Sequence, residues 1–166
     1  MGLINKIFEI IYDLAKLQKK EIHSNLLLKY NLPEGIGQKV KLLNPENILV
    51  GKNTYMNSGQ IRAGEKTKIE IGDWCAIGYN VYIVGRTHDV RRPTGPKRVL
   101  GDGIVEDNIF IGDNVWIGNN VFIKQGVKIG NNVIIGANSV VTKNFGNNII
   151  IAGNSAKIIK SRDKLD

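Results

Sequence analysis

Aliphatic residues recur at every sixth position through the second half of the chain: Ile111, Ile117, Ile123, Ile129, Ile135 and Val141. Glycine follows four of them, as Gly112, Gly118, Gly130 and Gly136. A valine stands four residues beyond each of the first four, at Val115, Val121, Val127 and Val133. An amphipathic helix repeats near 3.6 residues and a half-buried strand every 2, so a sustained period of 6 fits neither. It predicts an all-β solenoid, a parallel β-helix in which each hexad forms one short side of a coil. The beat extends upstream through Ile71, Ile77 and Ile83, stops at Gly85-Arg86-Thr87-His88, and resumes at Ile109. Long loops on a rigid scaffold are where binding and catalytic residues concentrate.

Ahead of the solenoid, Leu3, Ile4, Ile7, Phe8, Ile11, Leu14 and Leu17 hold helical spacing, with Asn5, Lys6, Glu9, Asp13 and Lys16 between them. This predicts an amphipathic helix from residue 3 to about 20, suited to capping the open end of the solenoid. The same amphipathicity would allow weak association with a membrane surface. Residues 31–48 contain Pro33, Gly35, Gly37 and Pro45 and read as a connection with a first irregular coil. The chain thus divides into an N-terminal helix and connection (1–48), a β-helix (49–160) carrying an inserted loop at 85–108, and a C-terminal tail (161–166).

Within each hexad the aliphatic residue and the residue four later point inward. The corners carry Asp113-Asn114, Tyr79-Asn80, Asn119-Asn120 and Asn131-Asn132, and asparagine tolerates the left-handed backbone that tight corners require. Three sides of six residues make an 18-residue coil, so Trp116 should stack over Ile134, Phe122 over Val140, and Phe110 over Lys128. Two of these outward columns are apolar, and a symmetric homo-oligomer would bury them.

Composition narrows the reading further. One cysteine, Cys75, rules out a disulfide framework and falls at an inward repeat position. Charged residues interrupt the first segment, so no secretory signal is expected, and no apolar run is long enough to span a membrane. A cytoplasmic protein is expected. The net charge of +8 is spread along the chain, densest at Arg86 to Arg98 and Lys157 to Lys164, without a basic helix interleaved with aromatics. Nucleic acid is therefore not the expected partner. A phosphorylated small molecule would use the same charges.

Ile-Gly-Asp-Asn-Val-Trp-Ile-Gly, the later Ile-Gly-Ala-Asn-Ser-Val-Val-Thr-Lys and the closing Ala-Gly-Asn-Ser-Ala-Lys closely resemble the hexapeptide-repeat acyltransferases. The chain looks most like their sugar O-acetyltransferases: the galactoside, maltose and polysaccharide-modifying enzymes. The resemblance spans about residues 50–160. It implies a left-handed β-helix, a homotrimer, and acetyl-CoA bound between neighbouring subunits, with a saccharide as acceptor and no metal. The helical segment that helps bind acceptor in the maltose and galactoside enzymes is not recognisable here. A glycan precursor is as plausible an acceptor as a small sugar.

The resemblance also places roles on residues. His88, in Gly85-Arg-Thr-His88, matches the catalytic loop histidine; His23 is read as structural or solvent-exposed. A sugar hydroxyl is a poor nucleophile, and a neutral imidazole can take its proton and pass it to the departing thiolate. Asn57 and Trp116 match acceptor-side positions, with Glu65 a further acceptor contact. The backbone N–H of Asn119 falls beside the thioester oxygen. Ala137, Thr142 and Lys143 carry over for the pantetheine arm, and Lys157 and Lys160 for the 3′-phosphate, as point charges where relatives often have arginine. Ser155 replaces the usual proline.

Three rival readings fit parts of the same pattern. A γ-class carbonic anhydrase needs three histidine ligands and the chain has two histidines. An amino-sugar or nucleotide-sugar N-acetyltransferase shares the fold, though His88 favours O-transfer. A non-catalytic scaffold has no use for a loop histidine, an outward Trp116 and a lysine track together.

Overall fold

The computed structural model describes residues 2–89 and 103–162, with side chains from residue 5 onward. The middle of the 85–108 loop, with most of the basic cluster ending at Arg98, lies outside the described residues. So do Lys164 and most of the tail at 161–166, and the side chains of Leu3 and Ile4.

The repeat folds into three columns of short parallel strands. One stacks Ala76–Ile77, Trp116–Ile117, Ile134–Ile135 and Ile149–Ala152, with Trp116 opposite both Ala76 and Ile134. A second stacks Val81–Val84, Phe122–Lys124 and Val140–Val141, with Phe122 between Tyr82 and Val140. The third stacks Ile48–Val50, Ile69–Ile71, Ile109–Ile111 and Lys128–Ile129, placing Phe110 over Lys128. All three outward pairings expected from the 18-residue coil are present. The long strand Tyr55–Arg62 joins the first two columns: Tyr55 and Met56 pair with Ala76 and Ile77, while Gly59 to Arg62 pair with Val81 to Val84. Gly59 makes the bend, at φ 124°, where a Cβ would lie 2.0 Å from the Val81 carbonyl oxygen.

The interior is the hexad pattern made solid. Ile77, Ile83, Ile111, Ile117, Ile123, Ile129 and Val141 are fully buried, as are the valines four residues on. Ser139 takes the next such slot; its hydroxyl donates to the Gly136 carbonyl at 2.6 Å and accepts the Gly153 N–H at 3.1 Å. Burial without these bonds would cost about 1–3 kcal/mol. Cys75 is buried in the core, and desolvation pushes its thiol above the ordinary range.

The corners show why glycine follows the aliphatic residue. Asn80, Asn114, Asn120 and Asn132 all adopt the left-handed backbone, and Trp74 takes it in the coil above Asn114. At Asp73, Asp113, Asn119 and Asn131 the residue before the left-handed position reaches up to the coil above: a Cβ on Gly112 would lie 2.2 Å from Asn131 Oδ1.

The ends depart from the repeat. Ile36–Leu43 already stacks in parallel on Tyr55–Arg62, within the segment read as a connection and irregular coil. At the other end Lys157–Ser161 runs antiparallel to Ile149–Ala152 and closes the stack. The N-terminal helix spans Gly2–Lys29, about nine residues beyond its expected end. Strong helix formers (Lys19, Lys20, Glu21 and three leucines) carry it on. Left-handed Asn31 stops it, as the Leu32 N–H reaches the Leu27 carbonyl at 2.9 Å and the Asn31 N–H reaches Leu28. Only its last turns pack on the coil: Leu27 is buried, and His23 Nε2 donates to the Ile36 carbonyl at 2.7 Å. Phe8 remains 67% exposed, with Ile7, Ile10, Ile11, Leu14 and Leu17 also exposed. No described helix is long and apolar enough to cross a membrane.

Candidate active site

Two corners of the coil differ in one respect. At the corner between the third and first columns, every rung hands a backbone N–H to the side chain below. Lys52 donates to Asp73 Oδ1 (2.7 Å), Asp73 to Asp113 (2.8 Å), Asp113 to Asn131 (2.9 Å) and Asn131 to Asn147 (2.8 Å). The corner between the first and second columns starts the same way, with the Tyr79 N–H on Asn119 Oδ1 at 2.8 Å. The next rung is Ala137, which has no side-chain oxygen. The N–H of Asn119 is therefore without an acceptor among the described residues, and so is that of Ala137, whose next rung is Ala152-Gly153. Both residues are exposed. The left-handed asparagines at this corner keep their own ladder, Asn80 to Asn120 to Asn138 at 2.9 and 3.1 Å. The corner stays intact while two donors are released.

Other expected site residues gather on the same edge. Trp116, 57% exposed, projects from the strand that feeds Asn119. Asn57 lies two residues before the Gly59 bend of Tyr55–Arg62, on the coil above Gly78. Lys157 and Lys160 are exposed on the terminal strand, opposite Ala152 and Ile150.

A second group lies at the far end of the second column. Thr142 and Lys143 follow Val140–Val141 and are exposed, with Lys143 Nζ 5.7 Å from the centre of the Phe145 ring. The inserted loop leaves at the same corner. Its two arms, Arg86–His88 and Ile104–Glu106, pair antiparallel with His88 opposite Ile104, and His88 is exposed. The Asp89 N–H donates to the Gly103 carbonyl at 2.6 Å. The second column of strands therefore lies between His88, Thr142 and Lys143 on one side and Asn57, Trp116, Asn119 and Ala137 on the other. A single chain does not bring the two groups together.

Glu65 is paired with Arg86, whose Nη1 donates to Glu65 Oε1. Glu106, unmarked by any sequence pattern, accepts the Lys66 N–H at 2.9 Å beside them. Gly64, immediately before Glu65, is the nearest thing to a sequence signal for that contact. Among the described residues no group of three or more His, Cys, Asp or Glu could hold a metal ion.

The bacterial transferase hexapeptide (six repeats) family model matches residues 108–143. Solved structures extend the likeness over most of the chain. A maltose O-acetyltransferase from Clostridium difficile 630 is 36% identical over 78% of this chain and 68% of its own, with a TM-score of 0.66. A galactoside acetyltransferase in complex with coenzyme A is 30% identical over 86% of this chain and 72% of its own, at 0.67. A hexapeptide-repeat acetyltransferase from Vibrio cholerae O1 biovar eltor, complexed with acetyl coenzyme A, is 28% identical over 78% and 69%, also at 0.67. Repeat, interrupted corner ladder and inserted histidine loop occur here within that shared fold, and the chain belongs to the hexapeptide-repeat acyltransferases.

Proposed function

We propose that this enzyme transfers acetyl from acetyl-CoA to a saccharide hydroxyl, with His88 as general base. The observation that carries the reading is the break at Ala137, which leaves two stacked N–H donors beside outward Trp116. The left-handed winding implied by the resemblance, and a homotrimer of such prisms, would set the His88 corner of one copy against the Asn119 corner of the next. The outward apolar column through Trp116 and Ile134, exposed in one chain, would then be covered.

Acetyl-CoA supplies an activated thioester carbonyl. The Asn119 N–H is aimed at its oxygen and stabilises the negative charge that develops there, a contribution of roughly 3–4 kcal/mol for such donors. His88 takes the acceptor hydroxyl proton as that oxygen attacks the carbonyl carbon. It returns the proton to the sulfur as the C–S bond breaks. Asn57 and Trp116 hold the acceptor, Ala137, Thr142 and Lys143 the pantetheine arm, and Lys157 and Lys160 the 3′-phosphate.

The test is thiol release from acetyl-CoA with a panel of neutral sugars, amino sugars, nucleotide sugars and glycan fragments, comparing wild type with His88→Ala. The variant should lose about 100-fold or more in turnover on its best acceptor. Undiminished turnover removes His88 as base, and acetylation confined to amines converts the reading to N-transfer.

A further inference from the structure

Three stretches of chain meet at the carboxylate of Glu106. It ends the returning arm of the inserted loop, Ile104–Glu106, opposite Arg86 at the foot of the departing arm, Arg86–His88. Its Oε2 accepts the Lys66 N–H at 2.9 Å and the Thr67 hydroxyl at 3.5 Å, both from the short insertion that follows Ala63. Its Oε1 lies 4.0 Å from Arg86 Nε, a buried donor with no hydrogen bond among the described residues. The same guanidinium donates from Nη1 to Glu65, in that insertion. Gly64 makes the approach feasible, since a Cβ there would fall 2.1 Å from Glu106 Oε2 and 2.3 Å from Thr67 Oγ1.

The two carboxylates are not equivalent. Arg86 and Glu106 side chains are 21% and 20% exposed, whereas Glu65 is 63% exposed. Solvent screens the Glu65 contact, and Glu106 is the shielded carboxylate that faces Arg86. Two arms of three residues make a marginal ladder, which does not by itself define how a long loop leaves the coil. Side chains two apart in a strand share a face, so Arg86 and His88 lie on the same side. Whatever fixes Arg86 fixes the direction in which the His88 ring is presented.

We propose that Glu106 is a positioning residue: through Arg86 it sets the exit direction of the strand that carries His88. The inference rests on His88 serving as the base, and Glu106 itself touches no reacting atom. Glu106→Gln keeps an oxygen for the Lys66 N–H and the Thr67 hydroxyl and removes only the charge facing Arg86. On the full-length protein, three quantities are compared: steady-state acetyl-CoA turnover on the best saccharide, the ring-nitrogen NMR signals of His88 as a function of pH, and the unfolding midpoint.

The expected result is a fall in kcat of roughly 10- to 100-fold, the scale of an ångström's misplacement, with KM for acetyl-CoA within about twofold. The His88 ring signals shift and the midpoint does not move. Arg86→Gln reproduces the loss, and the double variant loses no more than either single, because both act through one contact. Unchanged kcat with unshifted ring signals overturns the proposal, as does a lowered midpoint with wild-type kcat, or single losses that multiply in the double. If His88 is not the base, His88→Ala keeps its turnover while the ring signals of Glu106→Gln still report the tie, so the two failures are distinct.

Discussion

Two corners of the same coil are built from almost the same letters and do different things. At Asp73, Asp113, Asn131 and Asn147 each side-chain oxygen closes over the N–H above it, and the corner is saturated. At Tyr79, Asn119 and Ala137 the run stops after one bond, because Ile-Gly-Asx-Asn has become Ile-Gly-Ala-Asn. Exposed N–H groups at a saturated corner have nothing to offer a ligand. At the interrupted corner two of them are available on rigid backbone, with no reorganisation needed. A single methyl in place of a carboxamide separates a saturated corner from an open one.

Restoring the missing rung is the strongest way to break that contrast. Ala137→Asn places an oxygen under the Asn119 N–H, as Asn131 does under Asp113, and should occupy the donor before any thioester reaches it. Turnover of acetyl-CoA should fall by about 100-fold, the lower end of the loss for an oxyanion donor, while the unfolding midpoint stays level or rises. Ala137→Leu adds similar bulk without an acceptor and is the control. Equal losses in the two variants would mean crowding, and the free-donor account would go. The mirror change removes a rung where the ladder is complete. Asn131→Ala strips the acceptor from the Asp113 N–H and should cost about 0.5–1.5 kcal/mol, a midpoint lower by roughly 1–6 °C. Turnover of the folded enzyme should stay within about twofold; a larger loss would make the saturated corner part of the site.

Much of this was legible in the order of residues. The six-residue beat led to three columns, the inward slots and the outward pairings of Trp116, Phe122 and Phe110, because each is a consequence of one period. The asparagines announced the left-handed corners for the same reason. Strands outside the period were not legible. In Ile36–Leu43 only Ile36 and Val40 are buried, with a register shift between Ile36 and Lys39, and in Lys157–Ser161 nothing is buried. The helix runs on to Lys29 on strong helix formers and on the packing of its last turns against the coil through Leu27, neither of which the apolar periodicity of its first half announces.

The site divides along the same line. His88 stood out because it sits where a regular pattern fails. Glu106 did not, since Lys66 and Thr67 are 40 and 39 residues away and nothing about the pairing repeats. Ala137 was visible as a letter, but its meaning depends on which N–H lies above it.

Cys75 gives a small and clean measure of the difference between corners. It is the chain's one cysteine and lies buried at the saturated corner, with its Sγ 3.2 Å from the Gly112 carbonyl oxygen and its N–H donating to Thr54 Oγ1 at 2.9 Å. Desolvation raises its pKa, which lowers the thiolate fraction, so labelling by a thiol reagent in the folded protein should be slow and should report opening of this corner. When opening and closing are fast relative to labelling, the rate follows the population of the open form. A rung worth about 1 kcal/mol should therefore speed labelling about fivefold in Asn131→Ala. Ala137→Asn, which alters only the other corner, should leave the rate unchanged. A rate slowed in Ala137→Asn beside the faster one in Asn131→Ala would show that the corners open as one cooperative unit, and the distinction between the saturated and the interrupted corner would then be chemical only, with no difference in local stability behind it.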